Sequence, residues 1–270
     1  MDYNEITDCK PQIVMTTRET IQKAAAAINR AEHIAILTGA GVSKESGVPT
    51  FRDAQTGLWA QYDPQQLATP QAFQRNPKLV WDWYEFRRST VRAAKPNPGH
   101  IALATLQERY PQTTLITQNV DDLHEQAGSR DVIHLHGRIA QNKCFDNCQG
   151  MPTLIDLATI DQRTDDVPPR CPYCGAYVRP DVVWFGEMLP SDQLQRAMEA
   201  STTCDLMVVV GTSGLVHPAA SLPIYAYQSG AALIEINPDR TPLSDTAMLR
   251  LEGPSGEVLP QLIEALDDAS

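Results

Sequence analysis

The chain has 270 residues, 42% hydrophobic and 20% charged, enough for one large domain, or one with a small satellite, around a substantial core. With 22 Lys plus Arg against 33 Asp plus Glu, the net charge of −11 repels phosphate backbones and argues against nucleic-acid binding, though not against small anions or basic peptides. No apolar run nears the ~20 residues of a membrane span, and the start Met1-Asp2-Tyr3-Asn4-Glu5 lacks the basic and apolar parts of a signal peptide, so the expectation is a cytoplasmic protein with reduced thiols.

In chain order, Thr20 to Ile28 carries apolar residues at helical spacing and leads into the apolar run His33 to Leu37, a buried strand feeding Gly39-Ala40-Gly41. Further strand-like runs follow at 114–117, 132–135, 206–210 and 232–236, with helical stretches at 101–107, 191–200 and 259–266. Continuous β-branched runs alternating with helices predict an α/β fold, a doubly wound parallel sheet of Rossmann type. Two segments break the rhythm, a helical one rich in Gln, Pro and aromatics (59–95) and a cysteine-rich one (141–187). Both are expected to leave the sheet and form a small module, so that 1–58, 96–140 and 188–270 make the main domain.

The loop after the first strand, Gly39-Ala40-Gly41-Val42-Ser43-Lys44, opens like a dinucleotide fingerprint but has Lys44 where a third glycine would fall. Alone it reads equally as a tight turn. Small polar groups end the other strands: Gln118, Asn119 and Asp121, then His136, then Gly211-Thr212-Ser213, then Asn237. In open parallel sheets these carboxyl ends face the ligand, and His136, just before a glycine, is a candidate general base. Cys144 and Cys148, with Cys171 and Cys174, form two close pairs suited to a tetrahedral, closed and therefore structural zinc; the alternative is four free thiols. In the helix predicted over 79–94, Val80, Tyr84, Arg87 and Val91 share one stripe, which centres Arg87 and turns Arg88 to the flank. Taken alone, Arg87 reads as a snorkelling side chain; with Tyr84 three residues back, the guanidinium and phenol can converge on one anion.

These motifs, in this order, resemble the sirtuins, NAD-dependent protein-lysine deacylases. The likeness runs over residues 20 to 266: Gly39 to Ser43, Ser46 to Arg52, Thr117 to His124, His134 to Gly137, the four cysteines, Val182 to Glu187 and Gly211 to Ser213. It departs at Cys144-x-x-x-Cys148, where two intervening residues are commoner. The resemblance implies NAD bound by Gly39, Ala40, Gly41, Ser43, Phe51, Arg52, Trp59, Gln118, Asn119, Asp121, Gly211, Thr212, Ser213, Asn237 and Ser255. It implies one structural Zn2+ and His136 as base, with Asn119 and Asp121 holding ribose and nicotinamide. In that chemistry an acyl-lysine carbonyl attacks the ribose, nicotinamide leaves, and the products are lysine and O-acyl-ADP-ribose. Val183, Phe185, Gly186 and Glu187 would take the acyl-lysine protein or peptide as an added strand. Tyr84-x-x-Arg87 matches the sirtuin subclass that removes succinyl and malonyl groups. The alternative on the same fold is an ADP-ribosyltransferase or NAD glycohydrolase. A monomer is the expected state.

Overall fold

The computed structural model describes residues 17–50, 61–160 and 167–268. Helix α1 (Arg18–Arg30) starts at a capping box in which Thr17 and Thr20 satisfy each other's backbone N–H groups. It enters β1 (Ile34–Thr38), every residue of which is buried. The glycine loop then opens a single turn, α2 (Gly41–Lys44). Among the described residues three helices come next, α3 (Pro64–Leu67), α4 (Pro70–Arg75) and α5 (Pro77–Ala93), each led by proline and capped by Asp63, Thr69 and Asn76. The chain rejoins the sheet through α6 (Pro98–Arg109), β2 (Thr113–Thr117), the short α7 (Leu123–Gln126) and β3 (Ile133–His134).

An antiparallel pair, β4 (Gly137–Cys144) and β5 (Val178–Val182), forms a separate two-stranded sheet. β4 runs across the boundary expected at residues 140 and 141. Neither strand is legible beforehand, because β4 mixes polar residues with a bulge between Arg138 and Asn142. The chain closes with α8 (Ser191–Thr203), β6 (Leu206–Val210), α9 (Leu222–Gln228), β7 (Ala232–Ile236), β8 (Leu249–Leu251) and α10 (Ser255–Asp268). β8 is a short strand that the sequence did not predict, and Pro260 sits inside α10.

The main sheet has the order β3-β2-β1-β6-β7-β8, and every neighbouring pair is parallel. Residues of α1, α6 and α10 cover one face, including Ile28, Leu103 and Leu262. Residues of α8 and α9 cover the other, including Ala197, Leu222 and Ala226. Covering both faces explains why β1 and β6 are buried at every position and apolar at all but Thr38. A second core around Phe73, Trp83, Tyr84 and Trp184 joins α4 and α5 to the small sheet. Among the described residues no helix is long and apolar enough to cross a membrane.

Candidate active site

Strand order reverses between β1 and β6, and the crevice of a doubly wound sheet opens at the carboxyl ends on either side of such a reversal. Gly39 to Gly41 leave β1 there and Gly211 to Ser213 leave β6. The two loops meet backbone to backbone: the Gly41 N–H donates to the Gly211 carbonyl at 2.8 Å, and the Gly39 N–H to that of Val210 at 3.1 Å. A Cβ on Gly41 would stand 2.6 Å from the Gly211 oxygen, and one on Gly39 would stand 2.8 Å from the Thr212 Cβ. Gly211 has φ +60 and would itself carry a Cβ 2.6 Å from the Val42 nitrogen. The glycines are thus required by the approach of one strand-end loop to another.

Buried polar groups converge beside this seam. Ser43 Oγ donates to Asp121 Oδ2 at 3.0 Å and accepts from Asn119 Nδ2 at 3.0 Å, with His100 Nε2 at 3.4 Å. Burial raises the Asp121 carboxyl above its ordinary value, against hydrogen bonds from the Leu123 N–H and Ser43 that pull it down. Burial also lowers two histidines, His100 to about 4 and His124 to about 3. His124 Nε2 lies 3.0 Å from Thr38 Oγ1, which donates to Thr117 Oγ1 at 2.8 Å, and Thr117 in turn receives the Asn119 N–H at 3.0 Å. Thr38, His100 and His124 are missing from the sequence-based site. Only the Asn97-Pro98-Gly99-His100 start of α6, where Asn97 and His100 form a capping box, signals one of them.

Gln118 Nε2 donates to Thr212 Oγ1 at 2.9 Å, and Asn237 Nδ2 to the Thr212 carbonyl at 2.7 Å, so three strand ends are tied around Thr212. Ser255 is buried at the start of α10, its hydroxyl 3.3 Å from Glu45 Oε2, which also takes the Gly256 N–H at 2.7 Å. His136 Nδ1 lies 2.9 Å from the Gln118 carbonyl oxygen. A carbonyl only accepts, so Nδ1 carries the proton and Nε2 is left as an acceptor. Burial lowers the His136 pKa, and the bond to Gln118 offsets this only in part. His134 is engaged differently, with Nε2 at 2.7 Å from Glu125 Oε1.

On α5, the buried stripe is Val80, Tyr84 and Arg88, a spacing of four, so Arg88 and not Arg87 is the fully buried arginine. Its guanidinium serves the β4 bulge, donating to the Ile139 carbonyl at 2.7 Å and the Gln141 carbonyl at 3.2 Å, which have no cross-strand partners. Arg87 is half-buried, its guanidinium 5.0 Å from the Trp83 ring centroid and 5.5 Å from that of Tyr84. Burial lowers its pKa, opposed by the charge of Tyr84, a hydrogen bond to Tyr84, and the Asp121 carboxylate. Arg87 therefore feels the charge of Asp121 as well as the phenol beside it.

The segment from Val183 to Glu187 bends after β5, with Gly186 at φ +87. The N–H groups of Val183, Phe185 and Glu187 donate to the carbonyls of His136, Ala68 and Trp184, and that of Trp184 to Glu187 Oε2 at 2.8 Å. These four backbone N–H groups are thus partnered within the chain. Phe185 is exposed.

The sulfurs of Cys144, Cys148, Cys171 and Cys174 all lie within 4.8 Å of one another, with Cys144 to Cys174 at 3.5 Å and Cys148 to Cys171 at 3.8 Å. A tetrahedron of ~2.3 Å Zn–S bonds has edges of ~3.8 Å, so the donor set fits one zinc ion with every position filled by thiolate. The wider Cys144-x-x-x-Cys148 spacing does not displace Cys148 from the set. Phe51, Arg52 and Trp59 lie outside the described residues.

The Sir2 family profile matches residues 39–218, more than half of the chain. The NAD-dependent protein deacylase 1 of Pseudomonas aeruginosa is 52% identical over 235 residues, covering 86% of this chain and 94% of that protein. The NAD-dependent protein deacylase of Ralstonia nicotianae is 51% identical over 241 residues, covering 89% and 95%. The crystal structure of a Sir2 homolog–NAD complex superposes with a TM-score of 0.82 at 46% identity, covering 92% of this chain and 94% of that one. A Sir2–p53 peptide–NAD+ structure gives 0.79 at 31% identity, covering 90% and 97%.

Proposed function

The chain belongs to the Sir2 family, and we propose that it is an NAD-dependent protein-lysine deacylase that removes succinyl and malonyl groups as well as acetyl. Bound NAD supplies a ribose carbon activated by its nicotinamide leaving group; the chain's residues bind, orient and move protons. Gly39 to Ser43 and Gly211 to Ser213 form the cradle at the strand reversal, with Asn237 and Ser255 at its far end. Ser43, Asn119 and Asp121, held together by hydrogen bonds, supply the donors and acceptors for the ribose and carboxamide groups. His136, with Nδ1–H fixed on the Gln118 carbonyl and its pKa lowered, is neutral at pH 7 and takes a proton at Nε2 from a ribose hydroxyl. The relatives named as deacylases and the peptide-bound neighbour support an acyl-lysine protein or peptide as the second substrate.

The observation carrying the acidic-acyl reading is Arg87, half-buried beside Tyr84 and within the field of Asp121. A desolvated guanidinium in an acyl pocket favours an acyl group that ends in a carboxylate. Mass spectrometry of products from matched acetyl-, malonyl- and succinyl-lysine peptides with NAD tests the whole reading. O-acyl-ADP-ribose from all three supports it, O-acetyl-ADP-ribose alone removes the acidic-acyl part, and free ADP-ribose without acyl transfer removes the deacylase.

A further inference from the structure

Tyr84 is wholly buried, and its hydroxyl is met by the indole of Trp184, whose Nε1–H donates to it at 2.9 Å. An indole N–H and a guanidinium are donors only. The Trp184 indole therefore occupies the acceptor side of the phenol oxygen, and the Arg87 guanidinium stands 5.5 Å from the Tyr84 ring centroid. The phenolic proton can go to neither of them, and the hydroxyl is left as a donor.

The indole is held firmly. Arg179 lies with its guanidinium 3.2 Å from the Trp184 ring centroid, and it grips Glu187 through two bonds of 2.5 and 3.0 Å. Glu187 takes the Trp184 backbone N–H at 2.8 Å, and the Phe73 ring packs 5.3 Å from the indole. Arg179 and Trp184 are each 2% exposed. Stacking, backbone capping and ring packing thus hold the indole in this orientation.

We propose that Trp184 is a specificity-determining positioning residue, whose indole N–H turns the Tyr84 hydroxyl into an obligatory donor toward the carboxylate of an acidic acyl group beside Arg87. An acetyl group ends in a methyl and gains nothing from that donor. The inference rests on the acidic-acyl reading above.

The test compares wild type, Trp184→Phe, Tyr84→Phe and the double variant on succinyl-lysine and acetyl-lysine peptides of one sequence, read as kcat/KM. Tyr84→Phe should lower the succinyl-to-acetyl ratio about tenfold and Trp184→Phe about fivefold, because a donor to a charged group is lost or misdirected. The double variant should fall no lower than Tyr84→Phe alone, since the indole acts only through the hydroxyl. Equal losses on both substrates, or additive losses in the double variant, would make Trp184 a packing residue and overturn the proposal. Should Trp184→Phe fail to fold, benzothienylalanine at position 184, with sulfur in place of the N–H at nearly equal volume, gives the same comparison. A wild type that removes acetyl but no acidic group would overturn the acidic-acyl reading and this inference together. A desuccinylating wild type whose ratio survives loss of the indole N–H would overturn this inference alone.

Discussion

The Nδ1 of His136 and the carbonyl oxygen of Gln118 stand 2.9 Å apart, and this one bond decides which nitrogen of the imidazole can act. The carbonyl belongs to the turn that also carries Asn119 and Asp121. The proposed base and the residues proposed to hold the ribose are thereby fixed to one another through backbone.

His136→Ala should lower deacylation by ~10²-fold or more while leaving the fold and NAD binding in place. Since burial lowers the His136 pKa, the neutral base persists as pH falls into the ordinary histidine range. The acid limb of kcat should accordingly lie below pH ~6.5. A limb above that value, or near-normal turnover by the variant, removes His136 from the role.

Acid should unfold the protein through its buried histidines. An unfolded histidine titrates near pH ~6.5, whereas His100 and His124 titrate at about 4 and about 3 in the fold. Below pH 6.5 the unfolded chain binds more protons, so stability present above that pH is lost as pH falls toward the folded values. Between pH 7 and 4.5 the loss is about 2–3 kcal/mol per histidine. Urea unfolding across this range should show it, and His100→Asn should flatten the profile.

Cys171→Ala should reduce zinc content and thermal stability together, because binding energy at a closed thiolate site is folding energy. Metal analysis and melting of the same samples check this. A zinc-free protein that melts like wild type would leave the four cysteines as ordinary thiols.

Arg87→Met should lower kcat/KM on succinyl-lysine by ~10²-fold, from ~2–4 kcal/mol of lost charge pairing, and affect acetyl-lysine far less. Arg88→Met should behave differently. It strips the donors from the Ile139 and Gln141 carbonyls, so its effect belongs in the melting temperature and falls on both substrates alike.

Gly41→Ala should weaken both stability and NAD binding. Its methyl would meet the Gly211 carbonyl oxygen at 2.6 Å, a backbone atom that cannot rotate away. Calorimetry with NAD and thermal melting read the two effects, and an unperturbed variant would mean that the two loops separate at little cost.

The parallel sheet, the glycine loop, the four cysteines and His136 were legible in the sequence because each is written in a short stretch: apolar runs, close glycines, paired thiols, a histidine at a strand end. What the tertiary structure decided is which distant groups meet. Gly41 and Gly211 are both glycine because their loops touch, a fact invisible from either loop alone. Arg88 lies inward and Arg87 only half so, because a β4 bulge more than 50 residues away has carbonyls to satisfy. His100 and His124, 24 positions apart on either side of β2, come to a ring separation of 4.9 Å. Tyr84 and Trp184, a hundred positions apart, share the hydrogen bond that orients the phenol. Local pattern encodes elements through side-chain periodicity and backbone preference; a hydrogen bond between residues a hundred positions apart depends on how those elements pack, and no window of sequence contains it.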